Sequence, residues 1–270
     1  DDLSRGLGDV YKRQALTSYD AAAQSKIEYR IEGLDLANVQ LGTSNAQTLS
    51  VSFYVKSNKT GNSAIGLINQ NNDRSFVHQY TIASPNTWQR VSFKVVGDTT
   101  GTWNKDTSVG MRMRWGTFGT DYQTGTFDAW QAGQKMATSN SPINFNSATG
   151  DYIQITGVQV ELGDTATSFE FRSYGEELAR CERYFQTGRA SIGSAYNGFG
   201  GNVVHSTYIG FNTKMRAQPS MSFGTNHTSN NVSNADYYGG ESDSGFSYRV
   251  NILANGNYAR YSTYFAEAEL

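Results

Sequence analysis

This 270-residue chain has little charge, little proline and almost no cysteine. Charged residues make up 17% of the sequence, the formal net charge is −2, and no block of like charge occurs, so the electrostatic footprint of a duplex-binding protein is missing. No apolar run approaches the ~20 residues that a membrane-spanning helix needs, and we expect a soluble protein without membrane insertion. The single cysteine, Cys181, excludes an internal disulfide and a Cys-rich zinc site.

Aromatic residues and glycine are abundant instead. The chain has 17 Tyr, 14 Phe, 4 Trp and 28 Gly. Each aromatic side chain buries ~150 to 250 Å² on folding, which argues against a disordered chain. The length suits one large β domain or two smaller ones, each with its own core.

The first fourteen residues differ from the rest, being rich in Arg, Lys and Asp and showing no hydrophobic period. The stretch 8–14 (GDVYKRQ) resembles translated sequencing-adapter read-through, and an ordinary disordered tail is the alternative. We therefore expect residues 1–14 to be a non-native or disordered segment. We expect the native N-terminus to be missing and the chain to be the distal piece of a longer protein.

Residues 15–172 show short runs of alternating apolar and polar residues, separated by Gly, Asn, Thr and Ser. This period of two is typical of half-buried strands. In one run Arg112 and Arg114 alternate with apolar residues, which predicts an antiparallel sheet with one wet face. In the run 152–162, Gly157 shifts the phase by one residue and predicts a bulge or kink. The apolar residues predicted to share one face of a strand are Leu49, Val51, Phe53 and Val55; Val91, Phe93 and Val95; Met111, Met113 and Trp115; Ile153 and Ile155; and Val158, Val160 and Leu162.

One helix is predicted between the two β-patterned segments. Ser173 and Glu176 fit a capping box, in which the serine hydroxyl accepts from the N3 amide and the glutamate accepts from the amide of the cap. Apolar residues then recur at helical spacing, which indicates a helix over roughly 174–186, closed by Thr187 and Gly188.

Alternation resumes after the helix, but all four tryptophans precede it. The predicted fold class is all-β: a jelly-roll β-sandwich, a short linking helix and a second small β-sandwich at the tip. The predicted domains are 15–172, the helix 173–187 and the tip 188–270. A unit of about 80 residues buries a modest fraction of its surface, so we expect oligomerisation.

The run 156–185 (TGVQVELGDTATSFEFRSYGEELARCERYF) resembles the junction found in many bacteriophage tail-fibre and receptor-binding proteins. The segments SVSFYVKS, TWQR and GDTTGTW upstream are similar to the carbohydrate-binding-module-like jelly roll of that family, and KMRAQP and the ending YFAEAEL are similar to its tip. The resemblance implies a virion tail protein, made in the host cytoplasm, that attaches to host cell-surface polysaccharide or glycan. It also implies a homotrimer joined to upstream tail-fibre or baseplate proteins.

Sugar faces pack their C–H groups on aromatic rings, and their hydroxyls need Asn, Asp, Gln or Arg at the rim. The segment 115–130 interleaves both residue types over a glycine-rich stretch. The alternative is a core anchored by Trp115 and Trp130. The predicted sugar-binding residues in this region are Trp103, Asp121, Tyr122, Gln123, Asp128 and Trp130.

Two loops at the tip combine Tyr, Gly and Asn, as adaptable binding loops do. The alternative is a pair of hairpin loops whose tyrosines cap the core or a subunit seam. The candidate residues there are Tyr196, Asn197, Phe199, Tyr237 and Tyr238.

No motif predicts catalysis, and we expect a binding protein without a cofactor rather than an enzyme. His78, His205 and His227 lack metal-ligand spacing, and no G-x-S-x-G motif is present. A glycan-degrading tail enzyme remains an alternative, because the pairs Asp121/Asp128 and Glu161/Glu170 could meet at glycosidase separation. A structural connector without a receptor site is a further alternative. Loop Asp residues are also suitable calcium ligands, so a calcium site stays an open alternative.

Overall fold

The structure, a computed structural model, describes residues 9–12, 20–196, 203–228, 231–232, 237–253 and 256–269. The chain divides into two compact units between Glu170 and Phe171. Each unit has its own apolar core. Within the described ranges, no helix has the length and apolar character needed to cross a membrane.

The first unit is an antiparallel β-sandwich of jelly-roll type. Its strands are β1 (Asp9–Lys12), β2 (Gln24–Glu32), β3 (Leu49–Ser57), β4 (Gly61–Asn69), β5 (Arg74–Ile82), β6 (Gln89–Val95), β7 (Val109–Phe118), β8 (Gln123–Thr124), β9 (Trp130–Ala132), β10 (Ala137–Thr138) and β11 (Tyr152–Leu162). Short 3-10 turns occupy Ala37–Val39 and Thr120–Tyr122. One sheet has the order β1-β11-β3-β6, the other β2-β7-β4-β5-β9, and β8 and β10 form a small parallel pair. Strand β1 lies within the segment 1–14, and its pairing with β11 shows that the expectation of disorder is wrong for residues 9–12.

The core of this unit lies where the alternating residues of both sheets meet. Phe53 of β3 is fully buried, and its ring meets Tyr80 and Trp115 edge-on, each with 5.4 Å between ring centroids. Edge-to-face packing of this kind adds to the burial of apolar area. The predicted strands around 49–55, 88–95, 110–115 and 152–162 are confirmed as β3, β6, β7 and β11.

The predicted bulge at Gly157 is confirmed. The pairing of β11 with β3 shifts register between Thr156 and Gln159, and Gly157 has a left-handed φ of +58°. A Cβ atom there would lie 3.0 Å from the ring of Tyr54. Glycine therefore supplies both the backbone angle and the space for that ring.

The face of the second sheet that carries Arg112 and Arg114 is only partly wet. Arg114 is 5% exposed, because the chain after β9 crosses the outside of β4. The crossing is close, since a Cβ on Gly66 would lie 2.4 Å from Cβ of Met136. Arg112 remains half-buried. The prediction of a wet face is therefore wrong for Arg114, because tertiary packing covers a residue that the strand period turns outward.

Helix α1 (Tyr174–Glu182) begins with the predicted capping box. Its end lies earlier than predicted. Phe185 already belongs to a strand and pairs with Glu267, so Thr187 and Gly188 continue that strand rather than close the helix. The prediction of a helix to about residue 186 is therefore wrong, because sheet pairing with a distant strand overrides the local helical spacing.

The second unit contains α1 and a smaller sandwich of two three-stranded sheets. Its strands are β12 (Phe185–Tyr196), β13 (Val203–Gly210), β14 (Ser220–Thr228), β15 (Tyr237–Ser242), β16 (Gly245–Ile252) and β17 (Gly256–Glu267). The sheet orders are β12-β17-β14 and β13-β16-β15. Phe246 and Tyr248 are fully buried, and Tyr248 accepts from Nε of the fully buried Arg260 at 3.1 Å. The predicted all-β class with two sandwiches and a short helix is confirmed.

Candidate functional site

Two of the predicted tryptophans meet at one edge of the first sandwich. The rings of Trp103 and Trp130 pack edge-on with centroids 5.1 Å apart. Trp103 is 8% exposed and donates through Nε1 to the carbonyl of Thr100 at 3.2 Å, whereas the half-buried Trp130 donates to the carbonyl of Val96 at 2.6 Å. Both indoles therefore hold the loop that follows β6.

A buried ion pair fixes the same loop. Arg74 donates to Asp98 through Nε at 2.9 Å and Nη2 at 2.6 Å, and Asp98 is 2% exposed. Asp98 also accepts from the backbone N–H of Thr100 at 3.2 Å. The hydrogen bonds that Arg74 donates to Asp98 raise the pKa of Arg74, so the pair stays charged. A loop held by two indoles and a bidentate pair presents its surface in one conformation.

Asp128 and His78 form a polar pair beside Trp130. His78 Nδ1 lies 2.6 Å from Oδ1 of Asp128, and the imidazole stacks on Phe93 with centroids 4.0 Å apart. The Asp128 side chain is 57% exposed. Its φ is +58°, an uncommon angle that aspartate tolerates better than most residues. Its backbone N–H donates to the carbonyl of Val77 at 2.9 Å, which holds that angle.

These residues define an edge cluster, consisting of His78, Phe93, Val96, Asp128 and Trp130. The cluster combines a half-buried indole, an exposed Val96 and an exposed carboxylate. The indole and the valine offer apolar area, and the carboxylate accepts hydrogen bonds from hydroxyls. A small polyhydroxylated ligand with one apolar face fits this set of groups.

The other predicted residues of this unit lie elsewhere. Tyr122 is half-buried against Phe118, with ring centroids 6.3 Å apart, and Gln123 donates to the Phe118 carbonyl at 3.2 Å. Asp121 is exposed, and its backbone carbonyl accepts from Lys135 Nζ at 2.7 Å. Tyr122 belongs to a small second cluster with Phe118, outside the main core. The structure thus brings Trp103 and Trp130 into contact and has Asp128 two residues before Trp130, whereas Tyr122 and Gln123 contact Phe118.

The tip candidates fall partly outside the described residues. Asn197 and Phe199 lie outside them. Tyr196 ends β12 opposite Gly256, and Tyr237 and Tyr238 begin β15, but their side chains are not among those described. Their part in binding stays a prediction.

Glu161, one of the weighed carboxylates, has a structural partner. It accepts from the backbone N–H of Thr167 at 3.0 Å and from its hydroxyl at 2.5 Å. Partial burial raises the pKa of Glu161, but these bonds outweigh burial and lower it overall. A glycosidase acid needs the opposite shift. Among the described residues, no group of three His, Cys, Asp or Glu could hold a metal ion.

A small cavity lies beneath Trp115, bounded by Lys26, Thr117 and Asn146 among others. Its volume is about 10 Å³, which is room for about one water molecule. Trp115 Nε1 and Asn146 Nδ2 are buried without a protein partner. This cavity is too small for a sugar ring.

Comparison with known proteins gives no family. No protein-family model and no curated protein sequence matches the chain. Two solved structures of discoidin II from Dictyostelium discoideum align with it. The recombinant form aligns at 10% identity over 83% of this chain and 74% of that chain, and the wild-type form at 12% identity over 82% and 71%. Both alignments have a TM-score of 0.25, which is too low to support a conclusion about fold or ligand.

Sequence reasoning missed His78, Phe93 and Val96 as members of the edge cluster. His78 and Asp128 are 50 residues apart and meet only because Trp130 in β9 pairs with Phe76 in β5. In the sequence, Phe93 has the pattern of an ordinary core residue. Val96 holds Trp130 through its backbone carbonyl, which any residue type could supply. No local signal marks them.

Proposed function

We propose that the chain is the receptor-binding part of a bacteriophage tail fibre and attaches the virion to host cell-surface glycan through the edge cluster. In this proposal it works as a homotrimer on the virion tail, joined to upstream tail-fibre or baseplate proteins. The observation that carries the proposal is that a half-buried Trp130 and an exposed Asp128 lie two residues apart in sequence at the edge strand β9.

The side chains of the edge cluster favour a sugar over other ligands. Trp130 is held in place by its bond to Val96 and by contacts with Phe76 and Trp103, so its ring loses little entropy on binding. The Asp128 carboxylate can accept two sugar hydroxyls while it keeps its bond to His78. A single site of this size binds weakly, and three copies raise avidity through effective concentration. The phage role rests on the resemblance of residues 156–185.

Replacing Trp130 tests the site. Trp130→Ala is expected to reduce binding to purified host polysaccharide, and adsorption to host cells, by tenfold or more, because it removes the apolar platform. Trp130→Phe keeps a ring but loses the bond to Val96, and should retain most of the binding. Trp88→Ala is the matched control, since Trp88 is also half-buried but packs against Lys56 elsewhere.

Binding is measured by biolayer interferometry, with circular dichroism confirming that each variant is folded. Wild-type affinity in Trp130→Ala, or an equal loss in Trp88→Ala, would contradict the proposal. New reducing ends in the same polysaccharide would favour the glycan-degrading alternative. Light scattering that gives a stable monomer would contradict the trimer.

A further inference from the structure

The outer face of β2 and β7 concentrates positive charge. Lys26 and Arg30 alternate with apolar residues in β2, as Arg112 and Arg114 do in β7, so each set lies on one face of its strand. Glu28 lies between the two β2 cations. These five residues are called the basic face. Four cations and one carboxylate give it a net charge of +3, in a chain whose formal charge is −2.

The register of the two strands brings the cations together. Glu28 lies opposite Arg114, and Arg30 lies opposite Arg112. Like charges directly opposite each other in a sheet are unfavourable. Arg112 donates through Nη1 to the carbonyls of Asn69 at 3.2 Å and Gln70 at 2.6 Å, which orients its guanidinium without adding negative charge.

Glu28 is the carboxylate that the cations share. It accepts from Arg114 Nε at 2.5 Å and from Arg30 Nε at 2.6 Å, and Lys26 Nζ lies 3.3 Å away. The side chains of Glu28 and Arg114 are 12% and 5% exposed and form the floor, whereas those of Lys26 and Arg30 are 28% and 45% exposed. The two cations nearest to solvent, Lys26 and Arg30, thus lie above a floor that holds one carboxylate and one guanidinium.

The pKa shifts of Lys26 and Arg112 agree with this geometry. Burial and the charge of Arg114 lower the pKa of Lys26, despite the nearby Glu28. Burial and the charges of Arg114 and Arg30 lower the pKa of Arg112. For both Lys26 and Arg112, burial is the main cause of the lowered pKa, and the neighbouring guanidinium charges add to it.

One side of the basic face has a wall. The chain crosses β4 at Met136, whose sulfur lies 3.9 Å from Nη1 of Arg114. Tyr122 packs in the same small cluster as Met136. The chain segment around Met136 therefore borders the basic face on one side. A linear polymer can lie on the basic face alongside this segment.

We propose that the basic face binds an anionic glycan, a polysaccharide that carries carboxylates, as a contact separate from the edge cluster. Arg30 and Arg112 suit carboxylates because a guanidinium donates two parallel hydrogen bonds to a carboxylate. A uronic acid residue brings one negative charge per sugar, which matches a small patch centred on Glu28. Nucleic acid is less suited, because no aromatic ring belongs to the basic face for base stacking, and duplex binding needs a wider basic stripe.

The test uses polygalacturonate and its methyl ester, which is the neutral form of the same polymer. The full chain is expected to bind polygalacturonate at least tenfold more tightly than the ester at low salt, and less tightly as salt rises. Lys26→Gln with Arg30→Gln should lower that affinity about tenfold and flatten the salt dependence. Lys26→Arg with Arg30→Lys keeps the charges and should restore most of the binding.

The matched control is Lys94→Gln with Lys105→Gln, which removes the same charge at two exposed positions outside the basic face. It should change affinity less than twofold. Equal binding of polymer and ester, tighter binding of single-stranded DNA than of polygalacturonate, or an equal loss in the control would overturn the proposal. Trp130→Ala should leave polygalacturonate binding intact. The proposal for the basic face and the proposal for the edge cluster can therefore be contradicted independently.

Discussion

Glu28 shows how one residue links stability to charge in the first unit. Partial burial alone would raise its pKa, but hydrogen bonds from Arg30 and Arg114 and the charge of Lys26 lower it to about 2. The carboxylate is thus ionised throughout the neutral range. Removing it would leave the buried Arg114 without this counter-charge, and unpaired buried charges are costly.

Acid should weaken the first unit through this residue. The folded-state pKa of about 2 lies below the ordinary 4.5, so the stabilisation is present above pH 4.5 and is lost as pH falls toward 2. The shift corresponds to about 3 kcal/mol at neutral pH. Glu28→Gln should therefore lower the free energy of unfolding by up to about 3 kcal/mol at pH 6, and its difference from wild type should fall by more than half at pH 3.

Urea unfolding followed by tryptophan fluorescence at both pH values measures this difference. Asp164→Asn is the control, because Asp164 is exposed and its carboxylate accepts from the hydroxyl of the adjacent Thr165. A deficit in Glu28→Gln that stays constant from pH 6 to pH 3 would show that Glu28 acts through packing rather than charge.

Helix α1 shows, at the scale of an element, which local signals survive folding. Its start is set by Ser173, whose Oγ accepts from the Glu176 N–H at 3.4 Å while Glu176 accepts from the Ser173 N–H at 3.1 Å. All of these partners lie within four residues, so the sequence alone predicts the start. The end depends on Phe185 pairing with Glu267, a contact that spans most of the second unit.

Ser173→Ala should destabilise the helix by about 1 kcal/mol, because the first turn loses its side-chain cap. Amide hydrogen exchange at Glu176 and Glu177 should then become about fivefold faster. Gly175→Ala keeps the cap and places a Cβ in open space, so it should slow the same exchange. Unchanged exchange in Ser173→Ala would mean that tertiary contacts, rather than the cap, hold this helix.

At the scale of the whole molecule, the two units have separate cores that differ in composition. The first contains Phe53 among tryptophan and aliphatic residues, and the second is built on tyrosine and phenylalanine. All four tryptophans precede Phe171, so tryptophan fluorescence reports on the first unit alone.

Phe53→Ala should lower the free energy of unfolding of the first unit by about 3 to 5 kcal/mol, because it leaves a cavity between Tyr80 and Trp115. Denaturant titration of the full chain, read by tryptophan fluorescence, measures it. Tyr29→Ala, which removes a half-exposed ring, should cost much less. Equal losses in the two variants would contradict the assignment of Phe53 to the centre of the core.

The sequence by itself determined what depends on neighbours along the chain. Alternation predicted the strands, the phase shift at Gly157 predicted the bulge, and Ser173 with Glu176 predicted the cap. The alternation of Arg112 and Arg114 with apolar residues also predicted that the two arginines share one face of β7. A period of two, a turn glycine and a capping box act over a few residues, so they need no knowledge of the fold.

Only the tertiary structure decided which of these residues meet. Sheet order placed Arg30 opposite Arg112, and the pairing of β9 with β5 brought Asp128 to His78. Burial of Trp103 beside a more open Trp130 likewise depends on the loop after β6. A near-neutral composition cannot reveal a local charge of +3, because the net charge of the chain does not say where the charged residues lie. Their positions in a sheet come from contacts between residues far apart in sequence.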